Sequence, residues 1–198
     1  MKNCIFLLLI SSTIFSCKPS VLEPQEYEAW AREADNGLRQ TVSVGHLEYT
    51  MTFKPIDVMI LQSNEGVVPS QDSIIKMREE FAGLLYFTFQ MKVSDNSSVL
   101  QFEGDENAET GRLQHFFGDM QGDFVLITGN DTLPCSIYHY ERDYGVDPFE
   151  TFSLGFEVPE NFASEKVIIV YNDQVMNTGP VRFDYSSEEL FEQPQLKF

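Results

Sequence analysis

Cys135 and His139, with Glu141 and Asp143 close behind, are the residues of this chain whose types and order could do covalent chemistry. A thiol beside an imidazole that takes its proton is an activated nucleophile, and a carboxylate behind the imidazole would orient it. The spacing works against that use. Residues four apart on a strand share a face but lie on the order of 13 Å apart, at roughly 3.3 Å per residue. Direct proton transfer would need a sharp bulge between them. A lone buried cysteine acting as a small apolar side chain is the reading the sequence favours, with Tyr138 and Tyr140 packing on the opposite face.

No metal or other cofactor is expected. His46, His115 and His139 are scattered and share no ligand spacing, and a single thiol in the body of the chain is too little for a zinc cluster. His46 is placed on the polar face of a strand and His115 beside an aromatic helical face. Asp143, Asp147 and Glu150 form one acidic group, and Gly104, Asp105, Glu106 and Asn107 another. Neither follows the ordered twelve-residue loop of a helix-loop-helix calcium site, so both read as solvated loops. The chain has no GxSxG elbow, no GxxxxGK[ST] and no GxGxxG. A hydrolase stays open as an alternative through a cleft joining Asp131, His139 and Asp143. A glycosidase would need two carboxylates facing each other across such a cleft, and a chain with 31 acidic residues does not single out a pair.

The elements that would position these groups are short and mostly extended. Pro24 suits a first helical position, Tyr27, Trp30, Ala31 and Ala34 recur at helical spacing, and Asn36-Gly37 is a natural stop. Trp30 is expected to pack this helix on the main domain. Leu47, Tyr49, Met51 and Phe53 alternate with polar residues as a half-buried strand, and Val42 and Val44 enter it through Gly45. Short helices are expected over 56–61, 72–82 and about Leu113 to Met120. Residues 84–93 form the strongest central strand, and 99–102 could return as a hairpin arm. Residues 104–111 read as an exposed polar loop. Residues 124–141 read as two strands around a Gly-Asn-Asp turn, followed by strands at 149–157, 166–172 and 180–185. The pattern is mainly β with short helices: a single antiparallel β-sandwich or curled sheet, with α+β as the alternative. The 17 phenylalanines supply large core area.

The first residues point elsewhere. Lys2, the apolar run Cys4 to Ile10, and Ser11 to Ser16 read as a secretory leader. Its apolar core is about half the length a permanent membrane-spanning helix needs. The stretch Ile14-Phe15-Ser16-Cys17 resembles the lipobox of bacterial lipoproteins, although Phe15 is bulkier than usual there. With the helix ending Asn36-Gly37-Leu38 and the stretch Asp131-Thr132-Leu133-Pro134-Cys135, the chain is similar to the small uncharacterised lipoproteins of Bacteroidota. That resemblance implies a diacylglycerol on the Cys17 thiol and a place in the bacterial envelope, on the outer membrane, facing the periplasm or the outside. It implies no catalytic motif. The expected divisions are a signal peptide over 1–16, the lipidated cysteine and tether over 17–23, and one globular domain over 24–198. With Cys4 removed and Cys17 alkylated, only Cys135 is left, and no internal disulfide can form.

A net charge of −18 at pH 7 repels phosphate backbones and no basic stripe offsets it, so nucleic acid is excluded as a partner. The same charge opposes anionic lipid, which leaves the acyl group as the membrane attachment. The function expected is that of a non-enzymatic, membrane-anchored interaction or assembly module with an envelope protein partner. The polar loops 104–111 and 128–134 and exposed strand edges are the contact candidates. A small-molecule or glycan-binding module, or an unrecognised hydrolase, is the alternative.

Overall fold

The computed structural model describes residues 21–64, 68–104, 106–159, 162 and 166–197. The expected leader, Cys17 and Asp105 lie outside them. The chain opens with β1 (Val21–Leu22) and α1 (Pro24–Arg32). Pro24 occupies the first turn of the helix, where its missing N–H costs nothing, and the Glu26 carboxylate reaches back to the Glu23 N–H at 3.2 Å. A 3-10 turn, Ala34–Asn36, ends at Gly37 in the left-handed region (φ 79°), where an L side chain would be strained. Trp30 packs against both the main core and the smaller cluster of Leu22, Tyr27, Val58, Leu61 and Leu196, as expected of it.

Strands β2 (Arg39–Val44) and β3 (Leu47–Lys54) form a hairpin on Gly45 and His46, so His46 sits in the turn and not on a strand face. Two helices follow, α2 (Ile56–Ser63) and α3 (Gln71–Phe81), tied by the Arg78–Asp57 pair through two bonds of 2.9 and 2.8 Å. Strand β4 (Leu84–Val93) alternates buried and half-buried residues along its whole length. Residues 99–103 are turns, so the expected hairpin arm is absent there. The loop expected at 104–111 is largely the start of α4 (Glu106–Phe116). Its polar first turns hid it from a reading of apolar spacing, because only Leu113 and Phe116 toward its end pack on the core.

The stretch 124–141 makes three strands instead of two: β5 (Phe124–Thr128), β6 (Asp131–Pro134) and β7 (Ile137–Glu141). Pro134 lacks an N–H, and pairing stops at Cys135 and Ser136, where the chain crosses between sheets. Then come β8 (Phe149–Glu157), β9 (Lys166–Asp173), β10 (Gly179–Ser186), α5 (Ser187–Phe191) and β11 (Gln195–Leu196).

The result is a sandwich of two antiparallel sheets with short helices at its margins. One sheet has the order β2-β3-β4-β8-β7 and the other β10-β9-β5-β6, while β1 and β11 make a separate parallel pair. The inward residues of both sheets, among them Tyr49, Phe87, Phe89, Phe152, Phe124, Tyr171 and Phe183, are essentially removed from water. Because the side-chain period of a strand is two, burying these residues fixes which residues face out. No helix among the described residues is long and apolar enough to cross a membrane.

Candidate functional site

The outward face of the five-stranded sheet holds a recess of about 440 Å³. Register builds its floor, to which Lys54, Tyr86, Thr88, Gln90, Thr151, Ser153 and Glu141 of three outward rows contribute. Thr50, Gln90, Thr151 and Glu141 lie abreast on β3, β4, β8 and β7, and the next row is Thr52, Thr88, Ser153 and His139. The row beyond that carries Lys54, Tyr86, Gly155 and Ile137. Helix α2 adds Met59 and Gln62 to the lining, and the turn before β8 adds Asp147 and, with the strand itself, Phe149. The lining is dominated by hydroxyls, amides and charges, most of them carried by outward positions of the pleat.

Its internal bonds leave much of this capacity open. Gln90 Nε2 donates to Thr151 Oγ1 at 3.3 Å, and the Ser153 hydroxyl donates to the Glu141 carboxylate. Lys54 Nζ donates to Gln62 Oε1 at 3.5 Å, the outer limit of a hydrogen bond. Burial against the sheet and helix holds the Lys54 ammonium below the usual lysine range, the Glu141 carboxylate acting in the opposite sense. Lys54 forms no ion pair among the described residues. Its neighbour Tyr86 packs edge-on against Phe81, with ring centroids 5.8 Å apart, which steadies that end of the floor.

The residues singled out in the sequence do not converge. Cys135 is buried at the crossover, and its thiol donates to the Ile137 carbonyl at 3.0 Å. Burial pushes that thiol up to about 11, against the lowering effect of backbone bonds from Gly155 and Ile137. At neutral pH it is a protonated core group, as the sequence led one to expect. His139 is exposed on the outward sheet face, so the pair does not share an environment. Asp143 turns its carboxylate back on its own loop, accepting from the N–H groups of Gly145 (2.9 Å) and Asp147 (2.7 Å). Asp131 is exposed at the start of β6, in the other sheet. The cleft that would join Asp131, His139 and Asp143 is therefore not formed. His115 Nε2 meets Asp123 Oδ2 at 2.6 Å at the end of α4, and Glu150 accepts the Tyr140 hydroxyl at 2.5 Å. Among the described residues, no three His, Cys, Asp or Glu side chains are placed to hold a metal.

Sequence reasoning missed Ser153, Gln90 and Lys54. The signal was the run of outward Thr, Gln and Ser on strands whose inner face is aromatic, but their assembly depends on register across four strands. Ser153 stands opposite His139 with Glu141 one row away, which puts the three residue types of a serine nucleophile side by side. The bonding order is wrong for one: the Ser153 hydroxyl donates its hydrogen bond directly to Glu141, and no hydrogen bond joins His139 to either. The arrangement can bind polar matter, and it lacks a base relay.

No family model and no curated protein matches the chain. Among solved structures it is similar to a crystal structure described as a novel protein of unknown function from Burkholderia pseudomallei K96243. That likeness has 14% identity and a TM-score of 0.39, over 86% of this chain and 92% of that one.

Proposed function

We propose that the protein is a lipoprotein of the bacterial envelope, held at the outer membrane by an acyl group on Cys17, whose folded part binds partners and performs no catalysis. One observation carries the reading. Cys135, Asp131 and Asp143 are kept apart from His139, and Ser153, His139 and Glu141, though adjacent, are not bonded in the order a nucleophile needs, while the accessible recess is built from side chains suited to hydrogen bonding and ion pairing. The site's own geometry also favours a role in holding a small polar ligand, the second reading.

Anchorage would set an orientation. Three residues, Lys18, Pro19 and Ser20, separate Cys17 from Val21, and that length of chain can span no more than about 14 Å, so an acyl group on Cys17 would hold β1 near the bilayer. The end of the domain carrying β1 and β11 would then face the bilayer closely.

The test is chemical cross-linking in the native envelope, followed by affinity recovery of the lipidated chain, with Cys17→Ser as control. Acyl label should enter the wild type and not the variant, and specific envelope proteins should be recovered only with the wild type. Label that persists in Cys17→Ser would sink the anchor. Recovery of no partner, under conditions that keep other envelope complexes intact, would sink the assembly role.

A further inference from the structure

The recess has a charge pattern as well as a polar floor. Lys54 stands on β3 and Glu141 on β7, three strands away and two rows along, with Asp147 beside the same space. By strand geometry their Cα atoms are on the order of 19 Å apart, and the two long side chains narrow the gap between charges to roughly 10 Å. That is about the length of three extended residues. Between the charges lie Thr88, Gln90, Thr151 and Ser153, which offer donors and acceptors in the mixture an amide backbone needs. The volume, about 440 Å³, lies within the range of small-ligand sites. Lys54 makes no direct ion pair among the described residues and meets the Glu141 carboxylate only across the recess, although the chain carries 31 acidic residues against 13 basic ones. A cation without a direct ion pair in so acidic a molecule is available to a ligand's anion.

We propose that this recess binds a short zwitterionic peptide of about three residues, its carboxylate at Lys54 and its ammonium at Glu141 and Asp147. The inference deepens the binding role proposed above and rests on it. Overall neutrality fits the setting: an anionic ligand would be repelled by a molecule of charge −18. A cationic one would leave Lys54 facing like charge. A neutral sugar would use the hydroxyl and amide floor but would give the two opposed ends nothing to pair with.

The experiment is calorimetric titration of the full chain in detergent with trialanine, N-acetyl-trialanine and trialanine amide. Trialanine should bind, and blocking either end should weaken it by at least about tenfold. In Lys54→Gln the amide and the free acid should bind alike. In Glu141→Gln acetylation should cost little more. Both variants change partly exposed side chains and should keep the wild-type melting temperature. No binding at about 10 mM trialanine, equal binding of all three forms, or preference for a neutral oligosaccharide would overturn the proposal. The outcomes separate from those of the anchor and assembly test. Partner recovery without peptide binding would remove the peptide alone, and peptide binding by a chain that takes up no acyl label would remove only the anchor.

Discussion

Asp173 ends β9 with its carboxylate inside the sandwich, 3% exposed, and gathers an unusual set of donors. The hydroxyls of Tyr49 (2.9 Å), Tyr171 (3.1 Å) and Thr178 (2.7 Å) donate to it, as do the backbone N–H groups of Val175 (3.0 Å), Met176 (2.9 Å) and Thr178 (3.2 Å). Burial alone would raise this carboxyl, but the bonds from Met176, Thr178 and Tyr49 outweigh it and hold it below the ordinary value of 3.8. A carboxyl held lower in the folded state than in the unfolded one stabilises at neutral pH. That contribution is complete above the unfolded value and is lost as pH falls through the folded one. Asp173→Asn puts an amide NH2, itself a donor, among donors and should cost about 2–4 kcal/mol at pH 7. Urea unfolding of both chains at pH 7 and again below pH 4 should show the gap shrinking in acid. A gap independent of pH would mean that the loop, and not the charge, is what the variant loses. The sequence did not mark Asp173, because one acid among 31 carries no label until the strand end and its turn are folded. Cys135 was legible for the opposite reason: a lone thiol far from a usable base needs no partner to be understood.

At the scale of elements, Gln40 joins two strands that belong to different sheets. Its side-chain amide donates to the Asp184 carbonyl and accepts from the Asp184 N–H at 2.9 Å, completing between β2 and β10 the two bonds a strand neighbour would make. Two open edges are thereby joined at one position by a side chain. Gln40→Ala should destabilise by about 1–2 kcal/mol, with hydrogen exchange at the Asp184 amide rising first. Unchanged exchange at Asp184 would show that the edge holds without the bridge. The strands themselves were readable, since aromatic and aliphatic residues repeat every second position in β3, β4 and β8. Helix α4 and the corner at Cys135 were less so. The first buries little of its length, and the second breaks a run of strand-like residues by the geometry of Pro134 and a change of sheet. Edge closure by Gln40 left no trace in periodicity at all, because a single amide is indistinguishable from any exposed glutamine.

Across the whole molecule the two sheets meet through rings. Phe89, fully buried on β4, lies with its centroid 4.9 Å from Tyr171 and 5.0 Å from Phe124 in the opposite sheet, and 5.9 Å from Phe152 in its own. Phe89→Ala should cost about 3–5 kcal/mol in chemical unfolding, with one cooperative transition preserved. Separate transitions for the two sheets would show that they are held by something other than this ring cluster. The fold class was legible from alternation and the phenylalanine count, whereas the recess was not, since its floor takes residues from four strands whose order only the closed sandwich defines. The parallel pair of β1 and β11 has a consequence in time. The Lys197 N–H donates to the Leu22 carbonyl at 2.8 Å, and the Lys197 ammonium pairs with Glu23, 174 residues earlier. Since a chain is made from its N-terminus, β1 leaves the ribosome well before β11 and has to wait for all the strands of both sheets before its partner strand exists. Of the described strands, β1 is thus the one that waits longest for its partner, and whatever meets its backbone before β11 is made meets an unpaired edge.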